Sequence, residues 1–207
     1  IRRNASKILS RQSVSAIIEE IKKTNPVVVD EVTTGDHRFS YGEIEAVLKN
    51  LLEEQVSIRN MVVILETLGD YGKLTRDPWT LTEKVREALG AQICQQYADE
   101  NKVLHVLNLS QSLAQKILDH RADMPGKGPI VAFDPVDARN YISTMSNAVA
   151  AVRERNYLPI ILCPSEVRRL VKSSTELEMP GIIVLSINEV MAASPNIKVE
   201  SLGEING

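Results

Sequence analysis

Residues 40–52 have the sequence SYGEIEAVLKNLL, which joins a helix start to a long apolar stripe. Ser40 and Glu43 match a capping box, in which the Ser40 hydroxyl accepts from the amide of Glu43 and the Glu43 carboxylate accepts from the amide of Ser40. Apolar residues then recur at the spacing of one helix face, at Ile44, Val47, Leu48, Leu51 and Leu52. The segment therefore predicts an amphipathic helix that buries one face against other helices.

Helical patterns continue on both sides of this segment. Val14, Ile17 and Ile21 recur at helical spacing before it. After it, the pair Asp77-Pro78 predicts another helix, with Asp as the N-cap and Pro at the first helical position. We therefore predict that the first half of the chain is helical, up to a polar stretch near residues 98–102.

The second half alternates between short apolar runs and helical patterns. Residues 123–129 are rich in turn-forming residues and predict a loop, and Asp134-Pro135 predicts the start of a long helix. This alternation favours a small α/β layer with parallel strands, so the predicted fold class is α+β, a helical subdomain followed by an α/β subdomain. The predicted strands are Val103–Leu109, Leu158–Cys163, Ile182–Leu185 and Ile197–Ile205.

Composition excludes several classes of function. Hydrophobic residues make up 43% of the 207, which is enough for a folded core, and the net charge of −3 gives no drive toward nucleic acid. The two cysteines, Cys94 and Cys163, have no neighbouring ligand pattern, so we expect neither a metal site nor a cofactor. The apolar runs are far shorter than the roughly 18–20 residues of a membrane helix.

The catalytic motifs of common enzymes are absent from the sequence. It contains no glycine-rich phosphate loop, no GxSxG elbow and no HExxH pair. Cys163, at the end of a predicted strand, leaves open a small-molecule enzyme of α/β type as an alternative. Four basic residues near the start, which mostly share one side of a predicted helix, are candidates for binding a partner: Arg2, Arg3, Lys7 and Arg11.

Four stretches carry a resemblance to a known family, and they run along nearly the whole chain. The longest is residues 47–68, which contains the run VLKNLLEEQVSIRNM at residues 47–61. The others are Ser10-Arg11-Gln12, where the family usually has GRQ, then residues 81–89 and residues 184–190. On these motifs the chain resembles the C-terminal part of the cytoplasmic domain of the FlhA family of type III export-gate proteins.

The resemblance implies a binding and scaffolding protein, not an enzyme. FlhA-like proteins form a ring, nonameric in the family, on the cytoplasmic side of the bacterial inner membrane, and a membrane half precedes that part. The expected partners are flagellar chaperone–substrate complexes, components of the export ATPase complex and further copies of the chain. The start at Ile1 rather than Met also predicts a piece of a longer protein. The resemblance divides it into residues 1–12 (tail of a preceding subdomain), 13–98 (helical) and 99–207 (α/β).

Two details bear on the branch of the family and on subunit contacts. Residues 57–60 and 70–75 favour a flagellar protein, and the same role in a virulence injectisome is the alternative. Arg59 and Glu66, seven residues apart, are predicted to share one helix face, either as an ion pair within the subdomain or as a subunit contact. The main chaperone-docking cleft of the family lies between subdomains that this chain largely lacks, and only the opening helix, about Arg2 to Arg11, could border it.

Overall fold

The computed structural model describes residues 4–207, and the chain divides into two compact units, Ile1–Leu89 and Gly90–Gly207. Each unit buries an apolar core of its own. Over the described residues, no helix combines the length and the apolar character that a membrane span requires.

The first unit is helical. Its helices are α1 (Ala5–Ile8), α2 (Arg11–Thr24), α3 (Pro26–Thr33), α4 (Tyr41–Glu53), α5 (Met61–Tyr71) and α6 (Pro78–Ala88). Helix α4 packs against α1, α2 and α6, while α5 packs against α3 and α6. The predicted capping box at the start of α4 is confirmed, because the amide of Glu43 donates to the Ser40 hydroxyl at 3.1 Å and the amide of Ser40 donates to the Glu43 carboxylate at 3.1 Å.

The apolar stripe of α4 lies in the core of this unit. Ile44, Val47, Leu48 and Leu51 are fully buried, as the sequence pattern predicts. At the start of α6 the Asp77 carboxylate accepts from the amide of Thr80 at 2.9 Å, which confirms the predicted cap. A side-chain cap at the start and a buried apolar stripe thus explain how α4 and α6 form and pack.

The second unit is an α/β layer. Its strands are β1 (Val103–Leu109), β2 (Arg121–Met124), β3 (Gly128–Val131), β4 (Ile160–Cys163), β5 (Ile183–Ser186) and β6 (Lys198–Ile205). Four of them form a parallel sheet in the order β5-β4-β1-β6. The other two, β2 and β3, form a separate antiparallel hairpin. The helices are α7 (Gly90–Tyr97), α8 (Gln111–Asp119), α9 (Pro135–Glu154), α10 (Ser165–Thr175) and α11 (Ile187–Ala193). This architecture confirms the predicted fold class.

The structure differs from the sequence-based prediction at two places in the second unit. The segment predicted as a turn-rich loop, residues 123–129, belongs to the β2–β3 hairpin, whose turn uses Gly126 and Gly128 at positive φ. The division between units also falls one helix earlier than the predicted 98/99 boundary. The cause is packing, because α7 lies against α11 within the second unit.

Candidate functional site

The predicted basic cluster does not lie on one helix. Arg2 and Arg3 fall outside the described residues, while Lys7 lies in α1 and Arg11 begins α2. The chain is extended between the two helices because Ser10 is the N-cap of α2, where its hydroxyl accepts from the amide of Ser13 at 3.2 Å. Lys7 and Arg11 are both exposed, and Arg11 lines a cavity.

That cavity, of about 330 Å³, lies in the first unit and is named here the α2–α4–α6 cavity. Residues from the starts of α2, α4 and α6 form its wall, together with a side chain from the loop before α6. Its lining residues are Arg11, Ser40, Gly42, Glu43, Ala46, Arg76, Pro78 and Leu81. Charged groups and apolar carbons therefore share one small concave surface, as in many sites that bind a short segment.

The Arg11 guanidinium is held against the backbone of α4. A Cβ atom added to Gly42 would lie 3.2 Å from Nη2, 3.3 Å from Nε and 3.4 Å from Cζ of Arg11. These distances mean that the Nε and Nη2 side of the guanidinium lies against Gly42, in the space that a side chain at this position would enter. The Arg11 side chain is 79% exposed, and its Nε lies 3.7 Å from the Glu45 carboxylate.

Arg76 forms the opposite, fixed part of the wall. Its guanidinium donates to the carbonyl oxygens of His37 at 3.1 Å and Arg38 at 2.6 Å. It also lies 3.3 Å from the Glu43 carboxylate and 4.0 Å above the centre of the Phe39 ring. These contacts tie the loop after α3 to the start of α4, so Arg76 stabilises the cavity wall and has little donor capacity left.

No local sequence pattern predicts this role of Arg76. The sequence predicts its acidic partner, Glu43, only as part of the capping box, because the two residues of that box are three positions apart. Arg76 and Glu43 are 33 residues apart, and no local pattern relates them. Only the folded chain shows that one carboxylate serves the helix cap and the cavity wall together.

The predicted helix face shared by Arg59 and Glu66 is wrong. Helix α5 begins at Met61, so Arg59 lies in the segment before it, where the Ser57 hydroxyl accepts from the amide of Arg59 at 3.3 Å. Both side chains are exposed, and the described residues include no ion pair between them. A role for either residue in a subunit contact remains a prediction.

The structure also locates the residue on which the enzyme alternative depends. The Cys163 thiol is 1% exposed and donates to the carbonyl of Leu185 at 3.8 Å. A thiol buried to this degree lacks the solvent access of a reactive cysteine. Within residues 4–207, no group of three His, Cys, Asp or Glu side chains is arranged to hold a metal ion.

The best-defined titratable cluster lies on the second unit, at the start of β1. His105 Nε2 lies 2.8 Å from an oxygen of Asp99, and the amides of Val103 and Asn101 donate to the other oxygen. The hydrogen bond with His105, followed by that from Val103, holds the pKa of the Asp99 carboxyl below its usual range. The imidazole also packs on the Tyr157 ring, with 4.7 Å between the ring centres. These contacts fix a turn to the sheet and do not form an acid–base pair in a cavity.

Comparison with known proteins places these features in a family. Residues 1–194 match the FHIPEP family. The whole chain is 37% identical to a flagellar biosynthesis protein, FlhA of Bacillus subtilis, and spans 30% of the length of that relative. The fold defines the class of FlhA-like and SctV-like secretion proteins, and the chain belongs to the FHIPEP family.

Solved structures agree with this assignment. The chain superposes on the Chlamydia pneumoniae CdsV protein with a TM-score of 0.86 and 27% identity, covering 99% of the chain and 57% of CdsV. CdsV has also been solved in complex with a CdsO protein. The nonameric EPEC SctV-C has the same fold, with a TM-score of 0.83 at 24% identity over 99% of this chain and 59% of that one.

Proposed function

We propose that this chain is part of the cytoplasmic ring of a flagellar type III protein export gate. The observation that carries the proposal is the match of the whole chain, at 37% identity, to a flagellar FlhA protein within one shared family. In this role the chain binds proteins and does not catalyse a reaction. Its expected partners are export substrates with their chaperones, components of the export ATPase complex, and neighbouring copies of itself.

Two features of relatives support the partner part of this proposal. A protein of the same fold is nonameric, which favours self-association into a ring. A relative of similar structure, CdsV, forms a complex with CdsO, which favours binding of a second protein. The full-length protein would be anchored at the inner membrane by a segment outside this chain, with the two units on the cytoplasmic side.

A binding experiment with two protein lengths tests the proposal. The complete cytoplasmic part and the 207-residue chain are each titrated with a flagellar chaperone–substrate complex by calorimetry, while light scattering follows their oligomeric size. We expect the complete part to bind the complex and to form rings. Binding by the 207-residue chain alone would localise a docking surface within it.

The matched control uses a chaperone–substrate complex from an injectisome. Preference for the flagellar complex supports the proposed branch of the family, and the opposite preference assigns the chain to an injectisome gate. If neither complex binds to the complete part, the proposed docking function is wrong.

A further inference from the structure

The α2–α4–α6 cavity has an apolar floor that can receive one aliphatic side chain. Ala46 and Pro78 are half-buried there, and Leu81 is 2% exposed. Burying an aliphatic side chain on carbon atoms of this kind stabilises a complex because apolar surface is removed from water. The floor therefore provides affinity but little selectivity.

Among the contacts of residues 4–207, Arg11 is the cation of the cavity that is left with donors for a ligand. Its acidic neighbour Glu45 is shared, because the other Glu45 oxygen lies 2.6 Å from Lys49 Nζ. The Arg11 atom nearest to the Glu45 carboxylate is Nε, at 3.7 Å. The two terminal nitrogens of the Arg11 guanidinium can therefore donate to another acceptor. A planar fork with two free N–H donors fits a carboxylate, which it can bind through two parallel hydrogen bonds.

The other polar groups of the cavity do not compete for that acceptor. Both oxygens of Glu43 are engaged, by the Ser40 amide and by the Arg76 guanidinium. The guanidinium of Arg76 is in turn held by backbone carbonyls. The lining has two arginines and one carboxylate, Glu43, whose oxygens are already engaged, so a metal cation or a basic side chain is disfavoured there. The net charge of −3 disfavours a polyanion such as nucleic acid.

We propose that the α2–α4–α6 cavity docks a short segment of a partner protein, with an aliphatic side chain on the floor and an adjacent carboxylate on Arg11. This inference rests on the proposed function, since it names the partner chemistry that a protein-binding export gate would read at this surface. Gly42 is part of the site, because the absence of a side chain there lets the guanidinium lie close against α4.

The test uses two pentapeptides and the ¹⁵N-labelled 207-residue chain. The probe is acetyl-Ala-Leu-Asp-Leu-Ala-amide, and its control replaces the Asp by Asn, which keeps the shape and removes the charge. We expect the Asp peptide to shift the NMR signals of Gly42, Ala46, Leu81 and the Arg11 Nε–H group. We expect the Asn peptide to have an affinity lower by about threefold, since hydrogen bonds to an ionised group are stronger than those to a neutral one.

Two variants separate the site from the fold. Arg11→Gln should reduce binding of the Asp peptide to the level of the Asn peptide, whereas Lys23→Gln, which removes an exposed cation of the same helix, should leave it unchanged. Gly42→Ala keeps the charge but places a Cβ against the guanidinium. Because alanine favours a helix over glycine, this variant should keep or raise the unfolding temperature while weakening the Asp peptide.

Each outcome decides the inference independently of the proposed function. Equal shifts with both peptides, no shifts at the cavity, or binding that survives Arg11→Gln would show that the cavity does not select a carboxylate. If the complete cytoplasmic part still binds the chaperone–substrate complex in that case, the export function stands and only this docking site is wrong.

Discussion

At the scale of single residues, the Asp99–His105 contact makes a definite contribution to pH dependence. The pKa of Asp99 is lowered in the folded chain, first by the hydrogen bond with His105 and then by that from the Val103 amide. Folding therefore favours the ionised carboxylate, and the resulting stability is present above the usual Asp range near pH 4 and is lost as the pH falls through the lower folded pKa.

We predict that Asp99→Asn lowers the free energy of unfolding at neutral pH and that the difference from the unsubstituted chain shrinks below about pH 4. Urea denaturation of both proteins between pH 7 and pH 2 measures this. Asp36→Asn, which changes an exposed carboxyl in the loop after α3, is the matched control and should show no such convergence. Parallel stability curves for Asp99→Asn would mean that the carboxylate does not have its folded-state interaction.

Arg11 is a binding candidate from the sequence alone, but the one-helix arrangement on which that prediction depends is not the one that the structure shows. The prediction depended on a cluster of four cations along one helix, whereas the chain is extended before Arg11 and, of the two that the structure describes, Arg11 lines the cavity. Neither the contact of Arg11 with Gly42 nor the position of Arg76 follows from a local pattern. Contacts between residues far apart in sequence decide the site, and periodicity cannot show them.

At the scale of elements, local signals predicted the helix starts well. Ser40, Asp77 and Asp134 all cap helices as expected, because a cap is a contact across two or three residues. Helix α7 was missed because it has few buried residues, and the β2–β3 hairpin was missed because its strands are only four residues long. Both depend on packing within the unit rather than on their own sequence.

The packing of α7 can be tested at Gly90. A Cβ at this position would lie 2.8 Å from the Ala192 Cβ in α11 and would also clash with the carbonyl of Glu189. We predict that Gly90→Ala destabilises the second unit by ~1–3 kcal/mol, since the two helices must move apart to admit one methyl group. Chemical denaturation followed by circular dichroism measures the change.

The same substitution in a roomy helix is the control for this prediction. Gly69 lies in α5, where the nearest atom to an added Cβ would be a Glu31 side-chain carbon at 3.7 Å. Gly69→Ala should therefore leave stability unchanged or raise it by up to ~1 kcal/mol through helix propensity. A stabilising Gly90→Ala would show that α7 does not pack closely on α11.

At the scale of the whole molecule, the two units differ in what holds them together. The first buries apolar residues from helices α2 to α6, including Ile44 and Leu48 of α4. The second surrounds a parallel sheet with a cluster that joins strands and helices, including Ile161 of β4, Met145 of α9 and Leu170 of α10. Strands buried in this way need helices over them before the sheet is stable.

The division between these units leads to a prediction about where the chain can be cut. Helix α7 precedes the predicted boundary at 98/99, yet its buried residues Ile93 and Cys94 belong to the second unit, where the Cys94 thiol lies 3.7 Å from the Glu189 carbonyl oxygen. A chain of residues 90–207 should therefore keep the contact between α7 and α11. A chain of residues 99–207 lacks it and exposes the α11 surface that α7 covers.

We expect residues 90–207 to unfold cooperatively and residues 99–207 to unfold at a temperature lower by on the order of 10 °C, because roughly two buried side chains lose their packing. Differential scanning calorimetry of the two chains measures this, and amide exchange in α11 reports the exposed face. Equal unfolding temperatures would place the boundary at 98/99, as the sequence and the family resemblance predict. Then α7 would belong functionally with the helical unit, despite its packing on α11.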